Sequence, residues 1–183
     1  MNKLQTLQHS LIVAALFALP MAQAAAMAKP DYTAAKSRIG AEYKTAKAAC
    51  GSLSANAKDI CIAEAKAKEK VARAELEYGY TGKAKDQNKV MVVKAESAYA
   101  VAKEKCDDMK GNDKDVCVKQ AKAVEIKALA DAKMGKQIGE AKTDAAQDKR
   151  DADYKVAAEK CDAISGDPKA ACMTAAKAKF GKS

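Results

Sequence analysis

The six cysteines of this 183-residue chain form three pairs, with ten residues between the two members of each pair. The pairs are Cys50 and Cys61, Cys106 and Cys117, and Cys161 and Cys172, and their first members lie 56 and then 55 residues apart. A tyrosine precedes each first cysteine by seven residues, and an apolar residue follows it by three: Tyr43, Tyr99 and Tyr154, then Leu53, Met109 and Ile164. Such an internal period is typical of one supersecondary unit used several times.

The spacing within each copy predicts a helix followed by a sharp corner and a second helix. The tyrosine, an alanine, the first cysteine and the apolar residue are separated by three, four and three positions, which places them on one stripe of an α-helix. The stripe ends at Ala55-Asn56, Gly111-Asn112 and Gly166-Asp167. Glycine suits the left-handed residue that ends a helix, and Asn or Asp suits the N-cap of the next one. Each unit is therefore predicted to be a helical hairpin.

The corner also predicts how the cysteines pair. In each unit one cysteine lies about one turn before the bend and the other about one turn after it, so both have a similar height on antiparallel helices. Six cysteines allow fifteen pairings, but this geometry favours the bond within each unit. Closing each short loop is expected to contribute somewhat under about 3 kcal/mol.

The repeats divide the chain into three hairpins, at residues 29–80, 81–136 and 137–183. A break is predicted at 79–82, and residues 83–110 are predicted to form one helix. Residues 113–164 are compatible with either one long helix or two, because Gly135 and Gly139 weaken a helix without ending it. The predicted fold class is all-α: an elongated bundle of three disulfide-stapled hairpins, with five or six helices, after a cleaved signal peptide.

The composition explains why such a bundle needs the disulfides. The chain has no Trp and two Phe, and 31% of its residues are charged. Alanine and lysine favour helix, but alanine buries little apolar area against a partner helix. The alternative interpretation is intrinsic disorder with a collapsed core.

Residues 1–28 have the features of a secretory signal peptide. Lys3 precedes an apolar segment, residues 11–20, which is too short to span a bilayer, and 22–24 is a small-x-small cleavage site. No later segment is apolar enough to span a membrane. The protein is therefore expected in the periplasm, where paired cysteines oxidise.

No residue of the predicted mature chain is singled out as catalytic. The one histidine, His9, lies in the signal segment, which excludes histidine-based catalysis and histidine-ligated metals from the rest. The cysteine spacing is not that of a redox dithiol, and the carboxylates are scattered among lysines on polar helix faces. We expect no enzymatic activity, no metal and no cofactor, and expect the three repeat tyrosines to pack over the hairpin seams.

The formal charge of +9 raises the question of anionic partners. Acidic residues interleave with the lysines, arginine is scarce and the chain is exported, so nucleic-acid binding is not expected. A salt-sensitive affinity for anionic envelope surfaces, such as phospholipid, lipopolysaccharide or cell-wall polymer, fits the charge better. The sequence does not determine the oligomeric state.

The repeat motifs resemble those of small exported proteobacterial proteins rich in Ala and Lys. The motifs are YAVAKEKCDDMKGNDKDVCVKQAKA and YKVAAEKCDAISGDPKAACMTAAKAKFGK, and the resemblance covers essentially the whole predicted mature chain. Such proteins are sometimes labelled TolA-like or envelope-biogenesis proteins, and the resemblance implies no catalytic residue. The chain also resembles desiccation-protectant proteins in composition, which implies a role in envelope stress.

The function expected from these features is a non-enzymatic, structural, protective or interaction role in cell-envelope stress. The alternative is an adaptor that binds an anionic envelope component or a helix of another protein.

Overall fold

Helix-forming residues dominate the chain, and the computed structural model, which describes residues 27–182, is all-α. The predicted signal segment falls almost wholly on residues 1–26, outside the described residues. The five helices are α1 (Lys29–Ala49), α2 (Ala55–Thr81), α3 (Ala84–Cys106), α4 (Gly111–Asp162) and α5 (Asp167–Phe180), with a 3-10 turn at Cys50–Ser52. None of these helices is long and apolar enough to cross a membrane.

The helices form an elongated bundle in which each one packs against its neighbours along the chain. The α1–α2, α2–α3 and α3–α4 pairs lie side by side, and α5 packs on the C-terminal part of α4. Among the described residues, helices that are not consecutive in the chain have no Cα atoms within 8 Å of each other. The bundle is therefore open, and both of its broad faces meet solvent.

The fourth helix is continuous through the predicted boundary between the second and third units. It has 52 residues, which corresponds to a length of about 78 Å. This answers the question that the sequence left open for residues 113–164, since Gly135 and Gly139 both lie inside the helix. Every residue from 133 to 150 is exposed. The Met91 side chain of α3 reaches the start of this stretch, where its terminal methyl group would lie 3.7 Å from a Cβ atom on Gly135. The stretch joins the second and third hairpins without burying a residue.

Alanine and cysteine make up most of the core, as the scarcity of large apolar residues in the sequence implies. Ten apolar residues are buried in the part of the chain that the structure describes, and eight of them are Ala or Cys. The largest fully buried side chains there are those of Cys50, Cys106 and Cys161. The buried set is Ile39, Cys50, Ala65, Ala74, Val90, Ala95, Cys106, Ala132, Cys161 and Ala176. Such a seam allows the helices to approach closely, but the buried apolar area per contact is small.

Two predictions about helix ends are wrong in detail. Helix α3 ends at Cys106 and not near Lys110, because the chain already turns at the residue after the cysteine. The N-cap positions are Ser54, Lys110 and Gly166, none with a side-chain cap hydrogen bond. The residues at the predicted caps lie inside the helices instead, and the Asn56 side chain donates to the Glu104 carbonyl on α3 at 2.9 Å.

A positive φ, which favours glycine, occurs at the equivalent residue of all three corners, but this residue precedes or begins the second helix and does not end the first. Gly111 and Gly166 have φ of 56° and 70°, and the equivalent residue of the first unit, Ala55, has φ of 48°. A residue with a Cβ atom pays about 1–2 kcal/mol for this conformation.

Ala55→Gly is therefore expected to raise the free energy of unfolding by roughly 0.5–1 kcal/mol, since relief of the left-handed conformation exceeds the added chain entropy. Urea unfolding of the oxidised protein, followed by circular dichroism, measures the change. Ala41→Gly, at an exposed position within α1, is the control and is expected to lower stability by about 1 kcal/mol. Equal losses in both variants would contradict the assignment.

Candidate interaction site

The three corners share one covalent geometry. Cys50–Cys61, Cys106–Cys117 and Cys161–Cys172 are disulfide-bonded, with Cα–Cα distances of 5.7, 5.7 and 5.6 Å. These distances lie within the range that a disulfide needs, and the predicted pairing is confirmed. In each unit the backbone N–H three residues after the first cysteine donates to the carbonyl of that cysteine, at 3.0–3.2 Å. Each corner is thus fixed by a disulfide and by a tight backbone turn.

An ion pair crosses the corner in the second and third units. Lys114 lies 2.8 Å from Asp107, and Lys169 lies 2.9 Å from Asp162. The hydrogen bond to Asp107 raises the pKa of Lys114 above its usual value. The first unit has Gly51 where the others have the aspartate, so the disulfide clamps that corner without this ion pair.

The repeat tyrosines are all half-buried, each in the seam of its own hairpin. Tyr43 lines a small cavity between α1 and α2. Lys122, from α4, lies over the Tyr99 ring at 4.8 Å from the centroid. Tyr154 meets Phe180 edge to face, with ring centroids 6.4 Å apart. The structure does not bring the three tyrosines together into one site.

The apolar residues after each first cysteine lie in the corners, outside the α-helices. Leu53, Met109 and Ile164 are 42%, 45% and 41% exposed. Their contribution to packing stays a prediction, since nearly half of each side chain meets solvent.

A shallow, open groove lies between α2 and α3. Its volume is about 600 Å³. The floor is formed by small and branched apolar side chains, Ala67, Val71, Ala72, Ala98, Val101 and Ala102. The rim carries Lys68, Lys94 and Lys105 together with Glu75. An apolar floor with a mainly cationic rim suits an amphipathic, anionic ligand.

Ion pairs fix two of the three rim lysines across the α2–α3 contact. Lys94 lies 2.6 Å from Glu75, and Lys105 lies 2.8 Å from Glu64. The hydrogen bond from Lys105 holds the pKa of the Glu64 carboxyl below its usual value. A lowered carboxyl pKa stabilises the fold above the pKa of the unfolded chain, and this contribution is lost as the pH falls through the folded-state pKa.

Ser97 lies at the centre of the α2–α3 contact, between this groove and a second one on the opposite face. It is 5% exposed, and its Oγ atom has no hydrogen-bond partner within residues 27–182. Burying an unpaired hydroxyl costs about 1–3 kcal/mol. Ser97 therefore weakens the contact on which the groove is built.

The α2–α3 groove was not predicted, because it does not lie on the helix stripe that carries the cysteines. The residues of α2 that face α3 recur at the same helical spacing on another face, at Ala63, Ala67, Val71 and Ala74. This second stripe was the signal that could have revealed the contact between units. Within residues 27–182 no cluster of acidic, cysteine or histidine side chains is arranged to hold a metal ion.

No protein-family model, curated protein or solved structure matches the chain. The resemblance to small exported proteobacterial proteins therefore rests on the repeat motifs alone, and what the structure adds is a helical protein with three local disulfides.

Proposed function

We propose that the protein is a non-enzymatic helical protein of the cell envelope, with a structural, protective or interaction role under envelope stress. The observation that carries the proposal is the open bundle, in which each helix of residues 27–182 packs side by side only with its neighbours along the chain. A chain of this kind exposes charged helix surface on both broad faces, while the disulfides hold its corners.

The three disulfides support a location outside the reducing cytosol. Structural disulfides form and persist in oxidising compartments such as the periplasm. All six cysteines of the chain are paired locally, and none is free. The periplasmic location also uses the signal segment predicted from the sequence, and it is part of the proposal.

A second candidate function is the binding of an anionic envelope component. The α2–α3 groove favours it, because three lysines surround an apolar floor. An anionic phospholipid carries apolar acyl chains and a charged headgroup in one molecule, and so offers the matching combination of apolar and charged surface. The excess of lysine over acidic residues along the chain adds a long-range attraction that salt screens.

One experiment with two arms separates these functions. The oxidised protein is mixed with vesicles of anionic phospholipid at low and at physiological salt, and in parallel with a heat-aggregating client protein. Suppression of aggregation without vesicle binding supports the protective role. Vesicle binding that falls steeply with salt supports the anionic-surface role, and failure in both arms contradicts both functions.

A triple variant locates the lipid contact. Lys68, Lys94 and Lys105 are changed together to Gln, which removes the cationic rim of the groove. The control changes Lys44, Lys47 and Lys110, which are exposed and outside the groove, so that the net charge is lowered equally. A groove-directed interaction predicts a larger loss of binding in the first variant, whereas a diffuse charge effect predicts equal losses.

A further inference from the structure

One face of α4 repeats the residues of a helix contact that the structure already contains, yet no other helix among residues 27–182 covers it. The contact between α2 and α3 joins the second helix of unit one to the first helix of unit two. The corresponding contact between units two and three would join the N-terminal half of α4 to its C-terminal half. Because α4 is continuous, its two halves lie end to end and do not touch each other.

The small residues that bury the α2–α3 contact have exposed equivalents on α4. Ala74 and Ser97 are each 5% exposed and Val90 is 8% exposed. The repeat offset of 56 residues relates Ala74 to Ala130, and the offset of 55 residues relates Ser97 to Ala152 and Val90 to Ala145. All three alanines on α4 are exposed.

The larger apolar residues on this face are exposed as well. Val116, Ile126, Met134, Ile138 and Val156 are 42%, 56%, 54%, 48% and 56% exposed. With the alanines they are separated by four, seven or ten residues, which are close to whole numbers of helical turns, so they lie along one side of the helix. We call this stripe, from Asn112 to Glu159, the α4 face.

The helices α3 and α5 do not obstruct the α4 face. Their contacts with α4 involve the buried residues Glu125, Ala132 and Cys161. At 100° per residue these positions lie on the side of α4 opposite to Met134 and Ile138. The whole length of the face is therefore accessible.

The polar contacts of the α2–α3 pair also recur on α4, without their partners. The Glu75–Lys94 ion pair, at 2.6 Å, corresponds to Asp131 and Lys149. Asp131 is negative like Glu75, and Lys149 is positive like Lys94. The hydrogen bond from Asn56 to the Glu104 carbonyl corresponds to Asn112 and Glu159. In a straight helix Asp131 and Lys149 are about 27 Å apart, so they cannot pair within one chain.

We infer that the α4 face binds the α4 face of a second copy of this chain, in an antiparallel, twofold-symmetric dimer. The N-terminal half of each α4 then packs on the C-terminal half of the other, in the manner of α2 on α3. A twofold axis near Gly139 pairs Asp131 of each chain with the partner's Lys149 and covers both apolar halves at once. The inference stands independently of the proposed function.

The oligomeric state of the full oxidised protein tests the inference. Sedimentation velocity over a range of concentrations is expected to show a monomer–dimer equilibrium. Ile138→Lys places two lysines at the axis and is expected to weaken the dimer more than tenfold. Because Ile138 is exposed in the single chain, the helix content by circular dichroism is expected to stay unchanged.

A charge exchange tests the pairing itself. Lys149→Glu creates two repulsions across the axis and is expected to weaken the dimer by about tenfold. Adding Asp131→Lys to it restores opposite charges and is expected to recover most of the affinity. Lys136→Glu, with the same charge change on the opposite side of α4, is the control and is expected to leave the affinity unchanged.

Lysine cross-linking of mixed heavy- and light-isotope protein distinguishes the occupants of the face. An antiparallel dimer predicts links between Lys127 and Lys149 that join one heavy and one light chain. The same link within one chain would show that α4 bends at Gly135–Gly139 and folds back, which overturns the inference. A monomer at every soluble concentration, or a dimer insensitive to Ile138→Lys, would overturn it too.

Discussion

Reduction of the three disulfides is expected to unfold most of the helical structure at physiological temperature. Each bond closes a short loop and contributes up to about 3 kcal/mol, whereas a domain of this size is stable by roughly 5–15 kcal/mol in total. The remaining cohesion comes from an alanine seam that buries little area per contact. Thermal melting followed by circular dichroism, with and without reductant, measures the effect. Equal melting temperatures would contradict it.

The bond of the third unit is expected to have the most localised effect. Helix α5 has only 14 residues and packs on α4 alone, and isolated helices of this length are marginal in water. In the variant with Cys161→Ala and Cys172→Ala, the amides of α5 are expected to lose their protection from hydrogen exchange while α2 and α3 keep theirs.

The matched control removes the bond of the second unit, through Cys106→Ala and Cys117→Ala. Helices α3 and α4 still face each other along their length there, so their exchange protection is expected to fall but not to vanish. Complete loss of protection in both variants would show that the corners, and not the helix contacts, hold every unit.

Ala132→Leu is expected to destabilise the protein by about 1–3 kcal/mol, although leucine is the more apolar residue. Ala132 is 1% exposed, and its carbonyl accepts a 2.6 Å hydrogen bond from the Asn88 side chain on α3. A larger side chain must separate α3 from α4 and stretch this bond. Urea unfolding of the oxidised variant measures the loss.

Ala146→Leu serves as the control for this substitution. Ala146 is on the same helix but within the exposed stretch of 133–150, so we expect a change within about 0.5 kcal/mol. A gain of stability in Ala132→Leu would mean that the seam has room for larger side chains, contrary to the close helix approach described above.

Most of the local structure could be predicted from the residue spacing within the repeat. The positions of Cys106 and Cys117 relative to the corner fixed a hairpin and its disulfide, because a helix advances by a constant rise and the bend places both residues at one height. The equivalence of the three corners extends even to Ala55. This residue has a positive φ, as do the glycines at the equivalent positions, Gly111 and Gly166.

The contacts between units could not be predicted from the residue spacing. Ser97 and Ala67 belong to a stripe that faces another hairpin, and nothing in the cysteine spacing says which helix will cover it. Asn56 looked like a helix cap but bonds to the end of α3, because the neighbouring helix brings a carbonyl within its reach.

The sequence by itself determined the hairpins, their disulfides and the alanine-rich seams, since these depend on residues within about one turn of a corner. The tertiary structure alone decided that α4 passes through Gly135 and Gly139 without a bend and that α2 packs against α3. Two glycines cost a helix about 2 kcal/mol, a small free energy that the surrounding helix and its contacts can outweigh. The spacing of residues along the chain does not show whether these contacts outweigh the cost of the glycines. Only the arrangement of whole helices therefore shows that the α4 face is left uncovered.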